Sequence, residues 1–287
     1  MPHFTAPDGT RLAYHLRGEG EPLLVLPGGP MRASAYLGDL GGLAAHRRLV
    51  LLDLRGTGGS GIPANSSTYR CDRQVEDVEA LRVHLGLERV DLLGHSAGGS
   101  LAALYAARRP HRVARLALIT TALRPLGLSA TPGDRLAAAR LRDGEPWFAA
   151  AYPRLEAWLA GGSEYSAALA PFFYGRWDDA ARAHAEADEE QTNEEAADRY
   201  FAEAEFDPAA TRAALRELTA PVLVLAGELD GGPRPELARR AAAAFARAEF
   251  AVQPGAGHYP WLDDPQWFVR RLTDFLGRAR TALPSAE

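Results

Sequence analysis

Five residues, Gly94-His95-Ser96-Ala97-Gly98, carry the strongest chemical signal in the chain. A serine hydroxyl is a weak nucleophile until it is well presented and a base takes its proton. Here the serine follows an apolar run, Val90-Asp91-Leu92-Leu93, and precedes the small-residue stretch Ser100-Leu101-Ala102-Ala103-Leu104-Tyr105-Ala106. Strand, sharp turn, helix is the context in which Gly-X-Ser-X-Gly acts as a nucleophile elbow. Glycines at 94 and 98 remove side chains that would collide in so tight a turn. The serine then stands at the head of a helix, where backbone N–H groups favour developing negative charge.

A base for Ser96 must reach the same edge of the fold, which in a parallel sheet is the carboxyl edge. His258 meets this condition, because it ends the glycine-bearing loop Pro254-Gly255-Ala256-Gly257 after a β-rich run from Glu249 to Gln253. The other histidines fit less well. His3 and His15 fall in an N-terminal hairpin, and His46, His84 and His111 lie in or beside helices or their far-side connections. His184 lies in a helical region, and His95 is too close in sequence to turn back on Ser96. The acid that orients the imidazole should follow another strand. Asp230 does so after Val222-Leu223-Val224-Leu225-Ala226-Gly227, with Glu228 as its rival two residues nearer the strand. Asp263 and Asp264 read as caps of the last helix. The oxyanion hole needs two donors, expected from the N–H groups of Ala97 and of Gly29 in the loop Pro27-Gly28-Gly29-Pro30.

These residues need a scaffold that brings several loops together. Short strands are expected from His3 to Thr5, Leu12 to Leu16, Pro22 to Leu26, Arg48 to Asp53 and Val113 to Ile119, besides the elbow strand. Apolar spacing predicts helices from Leu37 to Ala45 and Gln74 to Leu85. Alternating strands and helices imply an α/β fold whose mostly parallel sheet is covered on both faces. Residues 122–217 break the pattern: they hold alanine-rich, acidic and aromatic segments and no convincing strand, so they read as an inserted helical cap with solvated charged faces. The core is then 1–121 and 218–287. A helix over 234–246, the strand from Glu249 and a helix over 264–279 complete it, with a frayed tail from Thr281 to Glu287.

Composition fits this reading. The 287 residues are 47% hydrophobic and 24% charged, enough for one large core with an insertion. The net charge is −5 and there is no basic run, which argues against a nucleic-acid partner. Every one of the 32 basic residues is arginine. The single cysteine, Cys71, excludes an internal disulfide and reads as a small buried residue. No basic-then-apolar leader and no apolar run of membrane-spanning length is visible, so a cytoplasmic protein with no membrane partner is expected. No metal or cofactor is implied.

The order Ser96, Asp230, His258 is that of α/β-hydrolases, which the chain resembles over essentially its whole length. Within them it resembles the prolyl aminopeptidase (proline iminopeptidase) family of serine peptidases. Pro27-Gly28-Gly29-Pro30 is similar to that family's His-Gly-Gly-Pro-Gly, and Asp53-Leu54-Arg55-Gly56-Thr57-Gly58-Gly59-Ser60 to its Asp-Gln-Arg-Gly-X-Gly-X-Ser. The sequence departs from the family at Pro27, at Met31, at Ala97 (usually Trp or Tyr) and at Gly231, where some members carry a glutamate that holds the substrate amine. Asn193-Glu194 resembles the family's cap glutamate for that amine, which makes Glu194 the candidate substrate-binding acid. The resemblance implies acyl-enzyme hydrolysis of short peptides or amides with a free N-terminus. The alternatives are a carboxylesterase or amidase for a small molecule, and a non-catalytic ligand receptor on the same fold. Epoxide hydrolases and haloalkane dehalogenases normally place aspartate at the elbow, so Ser96 argues against them.

Overall fold

The computed structural model describes residues 1–162, 166–202 and 204–277. The expected frayed tail and the last residues of the final helix lie outside the described residues. The strands are β1 (His3–Thr5), β2 (Arg11–Arg17), β3 (Pro22–Leu26), β4 (Arg48–Leu52), β5 (Val90–His95), β6 (Val113–Ile119), β7 (Val222–Gly227) and β8 (Ala248–Gln253). They form one sheet in the order β1-β2-β4-β3-β5-β6-β7-β8. β2 runs antiparallel to β1 and β4, and every other pairing is parallel.

Neighbouring residues on a strand point to opposite faces. Leu24, Leu26, Leu92, Leu116, Leu118, Val222 and Val224 pack on one face. Leu23, Val25, Leu93, Ala117, Ile119, Leu223 and Leu225 pack on the other. Burial on both faces is why these strands read as continuous apolar runs. Helices α1 (Val75–His84) and α2 (Ala97–Arg108) flank the elbow strand in sequence. Between β6 and β7 come α3 (Pro132–Ala139), α4 (Phe148–Leu159), α5 (Asp179–Glu186), α6 (Asp188–Gln191), α7 (Glu194–Ala202) and α8 (Pro208–Arg216). The chain closes with α9 (Pro235–Ala242), α10 (Pro260–Asp263) and α11 (Pro265–Leu276). Val78 and Leu81 of α1, Leu101 of α2 and Leu237 of α9 join the first face. Trp261, Phe268, Leu272 and Phe275 of α10 and α11 cover the second. Each fully buried side chain of this size contributes about 1.5–3 kcal/mol.

The helix expected from Leu37 to Ala45 does not form. Two short 3-10 turns, Ser34–Leu37 and Leu43–Ala45, stand there instead. Gly38, Gly41 and Gly42 between them all take positive φ, as does Leu40 at 54°. Leu37, Leu40 and Leu43 are nonetheless buried on the second face, which is what produced the helical spacing.

Among the described residues, 122–217 hold no strand beyond an isolated pairing of Thr192 with Arg32. The two ends of this segment share the main core through Leu123, Leu126, Tyr200 and Leu215. Its middle has a small cluster of its own around Ala139, Leu155 and Leu169. Several acids expected on solvated faces are caps: Asp178 starts α5, Asp207 starts α8, and Thr131 and Asp134 form a capping box at α3. Arg32, only 2% exposed in the loop after β3, fastens the segment down. It donates to Gln191 Oε1 and the His184 carbonyl, both at 2.9 Å, and pairs with Asp188 at 2.9 Å.

Candidate active site

β5 delivers Ser96 into a turn so tight that its backbone takes φ 52° and ψ −119°. The flanking glycines are sterically required. A Cβ on Gly94 would lie 2.5 Å from the Gly98 carbonyl oxygen, and one on Gly98 would lie 2.4 Å from the carbonyl oxygens of Leu26 and Pro27. The Ser96 N–H donates to the Ile119 carbonyl at 3.0 Å, and the Thr121 hydroxyl donates to the Ser96 carbonyl at 2.6 Å.

β7 and β8 end at the same edge and bring Asp230 and His258 to this hydroxyl. His258 Nδ1–H donates to Asp230 Oδ2 at 2.8 Å, which leaves Nε2 to accept from Ser96 Oγ at 2.9 Å. The second Asp230 oxygen accepts from the Gly232 N–H at 2.8 Å. Asp230 and His258 are 2% and 8% exposed. Glu228 is turned away and accepts from the Gly255 N–H at 2.8 Å. Asp264 caps α11 as expected, at 3.0 Å from the Trp267 nitrogen. Asp263 does not cap it. Its carboxylate accepts from the N–H groups of Gly257, Gly175 and Arg176, joining the His258 loop to the helical segment. Burial nevertheless holds this carboxyl above its ordinary range.

Gly28 packs so closely that a Cβ there would lie 2.8 Å from Ser96 Cβ. Gly29 and Ala97 line a cavity of about 380 Å³ over Ser96. Neither N–H has a protein acceptor among the described residues. Two free N–H groups beside a serine hydroxyl are the elements of an oxyanion hole. A relay supports them from behind. The Gly28 N–H donates to the Tyr36 hydroxyl, the hydroxyl to His95 Nδ1, each at 2.6 Å, and His95 Nε2–H to the His258 carbonyl at 2.9 Å. Burial, and then the neighbouring His258, hold the His95 pKa well below 6.5, so the ring stays neutral as this relay requires. The role of His95 was hidden in sequence because its partners are 59 and 163 residues away.

Glu194 is not brought to this cavity. It is exposed at the start of α7 and lines a separate pocket with Ser166, Trp177 and Arg182. Position along the helix explains the miss: Glu194 is the first residue of α7, and Ala197, Asp198 and Phe201, a turn or more further on the same face, line the Ser96 cavity. Arg124 and Arg135 line it as well. Burial lowers the pKa of both; the charge of Arg135 adds to the effect on Arg124, while Asp230 and Asp134 oppose it at Arg135. No motif marks these two arginines, and only the placement of the helical segment brings them in. The motif from Asp53 to Ser60 is structural: Asp53 accepts from Ser34, Gly59 and His15, and Arg55 pairs with Asp77 and Asp8. Cys71 is buried, and burial pushes its thiol up to about 12. Among the described residues, no group of three or more His, Cys, Asp or Glu side chains is placed to hold a metal ion, and no helix is long and apolar enough to cross a membrane.

Fold and geometry together define the class. Residues 21–265 match the family model described as alpha/beta hydrolase fold, and the chain belongs to that family. Within it, one curated relative is a proline iminopeptidase of Heyndrickxia coagulans, 41% identical over 96 residues, which are 33% of this chain and 33% of that protein. The match therefore spans about a third of the relative's length. Among solved structures, a proline iminopeptidase of Mycobacterium smegmatis superposes with a TM-score of 0.72 at 25% identity, covering 96% of this chain and 98% of that one. An esterase of Exiguobacterium antarcticum gives a TM-score of 0.72 at 21% identity, covering 96% and 99%.

Proposed function

We propose that this chain is a serine hydrolase that cleaves small carboxylic esters or amides through an acyl-enzyme. The observation that carries the reading is the unbroken line from Ser96 Oγ through His258 to Asp230, opening beside two free N–H groups. In this reading Ser96 attacks the carbonyl carbon while His258 Nε2 takes its proton. His258 then returns the proton to the leaving alcohol or amine, and a water repeats the sequence to release the acid. Asp230 holds the imidazole in the required tautomer and stabilises its charged form. The Gly29 and Ala97 N–H groups take up the oxyanion. Residues 122–217 act as the cap that shapes the substrate cavity over the core, 1–121 and 218–287. A fluorophosphonate should label wild type at one site, and Ser96→Ala should escape labelling and lose ester turnover. Labelling of the Ala variant at the wild-type rate, or no turnover of any ester or amide by wild type, would reject the reading. Failure of turnover would favour the receptor alternative.

The local identity to a proline iminopeptidase favours a second reading, release of N-terminal proline from short peptides. A charged amine in a shielded site needs a carboxylate partner. Glu194 is turned to another pocket, so Asp198 is the acid available for this role. Prolyl-naphthylamide cleavage that is lost on N-acetylation and weakened in Asp198→Asn would establish the peptidase. Cleavage of short acyl esters without prolyl-naphthylamide leaves the esterase.

A further inference from the structure

The electrostatics of the Ser96 cavity are unusual for a site that takes neutral substrates. Arg124 and Arg135 both line it, and neither guanidinium makes a hydrogen bond or ion pair among the described residues. Arg124 lies over the Phe201 ring, 4.3 Å from its centroid, and Arg135 lies 5.8 Å from the Trp158 centroid. Aromatic faces hold the guanidiniums in place without neutralising them. The Arg135 guanidinium also rests on Gly232, where a Cβ would meet three of its atoms at 3.0 Å. That glycine lets the cation lie against the turn that carries Asp230.

The nearby acids offset part of the Arg135 charge through space, but among the described residues none accepts a hydrogen bond from either guanidinium. Asp230 is committed through both oxygens to His258 and to the Gly232 N–H. Asp134 is committed to the capping box with Thr131. Asp198, exposed on α7, is the one acidic side chain lining the cavity among the described residues. Within the cavity wall, two guanidiniums, Arg124 exposed and Arg135 half-buried, therefore face one exposed carboxylate. A guanidinium with no bonded acceptor, held at a cavity wall, is free to take a bound anion. Guanidinium suits a carboxylate best, because its parallel N–H donors match the two oxygens.

We infer that Arg124 and Arg135 form an anion subsite, and that the substrate is a small ester or amide carrying a second, free carboxylate. The inference rests on the hydrolase reading for where the scissile carbonyl sits, and it names the substrate class of that same site. An N-terminal ammonium would meet the two cations, so the subsite also opposes the peptidase reading.

The test compares matched pairs that differ by one carboxylate. Monoethyl glutarate against ethyl pentanoate places the charge on the acyl side. Sodium 3-acetoxypropanoate against propyl acetate places it on the leaving side. Wild type should prefer the charged member of at least one pair by about tenfold or more in kcat/KM, the scale of a charge-assisted hydrogen bond. Arg124→Met and Arg135→Met should each reduce that ratio by about tenfold, with the lysine variants between. The preference should also shrink between low and high salt. Preference for the neutral member in both pairs, or an unchanged ratio in both Met variants, overturns the inference. If wild type turns over no ester and takes no fluorophosphonate label, the hydrolase reading has failed instead. Calorimetry with glutarate alone then decides. Binding with a Kd below about 1 mM that both Met variants weaken sustains the subsite, and no binding removes it. Melting curves of each variant show that the fold is intact.

Discussion

Asp230 lies two positions beyond Glu228, and the turn that carries them decides which carboxylate reaches His258. Asp230→Asn should lower kcat by up to about 10⁴, because the imidazole would be held in the wrong tautomer. Glu228→Gln removes only an acceptor for the Gly255 N–H, so its kcat should stay within a few-fold of wild type. Steady-state kinetics on one activated ester compare the two, and the reverse ranking would reassign the acid. Ser96, Asp230 and His258 were legible because each follows a strand at the carboxyl edge, where strand order alone brings them together. Arg124, Arg135 and Asp198 were not legible. They sit on turns and helices whose phase toward the cavity depends on how the segment packs, and an isolated charge in a helical sequence looks like solvated surface. Glu194 shares a helix face with Asp198 but stands one turn earlier, at the start of α7, where it lines another pocket.

At the scale of elements, the elbow depends on contact between backbones. Gly98 lets α2 approach the end of β3 so closely that a methyl group has no room. Gly98→Ala should therefore cost about 1–3 kcal/mol, the range for overpacking a filled interior. Urea denaturation measures it, and an unchanged midpoint would show that the loop of Pro27 yields freely. The strands were legible because double-sided burial makes them continuous apolar runs; α1, α9 and α11 lie within the expected windows, and α2 extends beyond the expected stretch from Ser100 to Ala106 at both ends. The stretch from Leu37 to Ala45 was not, since Leu37, Leu40 and Leu43 have helical spacing while the glycines at 38, 41 and 42 bend the chain. The pattern of buried leucines survives, and the hydrogen-bond ladder does not.

For the whole molecule, the joint between sheet and helical segment contains a titrating group. His184 Nδ1 accepts from the Tyr174 hydroxyl at 2.7 Å, and its Nε2–H donates to the Tyr36 carbonyl at 3.1 Å. Burial, and then the Arg32 charge, lower its pKa from 6.5 to about 4. His95 shifts in the same direction. Between these values the unfolded chain binds protons that the folded chain refuses, so stability is fully present above pH 6.5 and is lost as pH falls toward 4. Glu79 and Asp8, each lowered to about 2 from ordinary values of 4.5 and 3.8, act at lower pH. Wild type should lose about 2 kcal/mol between pH 7 and pH 5 from His184 alone, and His184→Gln should show a shallower decline. Equal slopes for the two proteins would clear His184 of the effect. The same joint bears on the life of the chain before it is finished. Arg32 belongs to the loop that carries Gly29, yet its partners lie in α5 and α6 or just beyond them, some 150 residues later. On the hydrolase reading, a nascent or half-folded chain would carry Ser96 without a settled loop at Gly29, and would stay inert toward the esters around it until the late segment docks. In a urea titration, esterase activity should fade together with the signal of Trp177 and ahead of the circular dichroism of the sheet. Activity that persists until the sheet melts would show that the loop is competent without its latch.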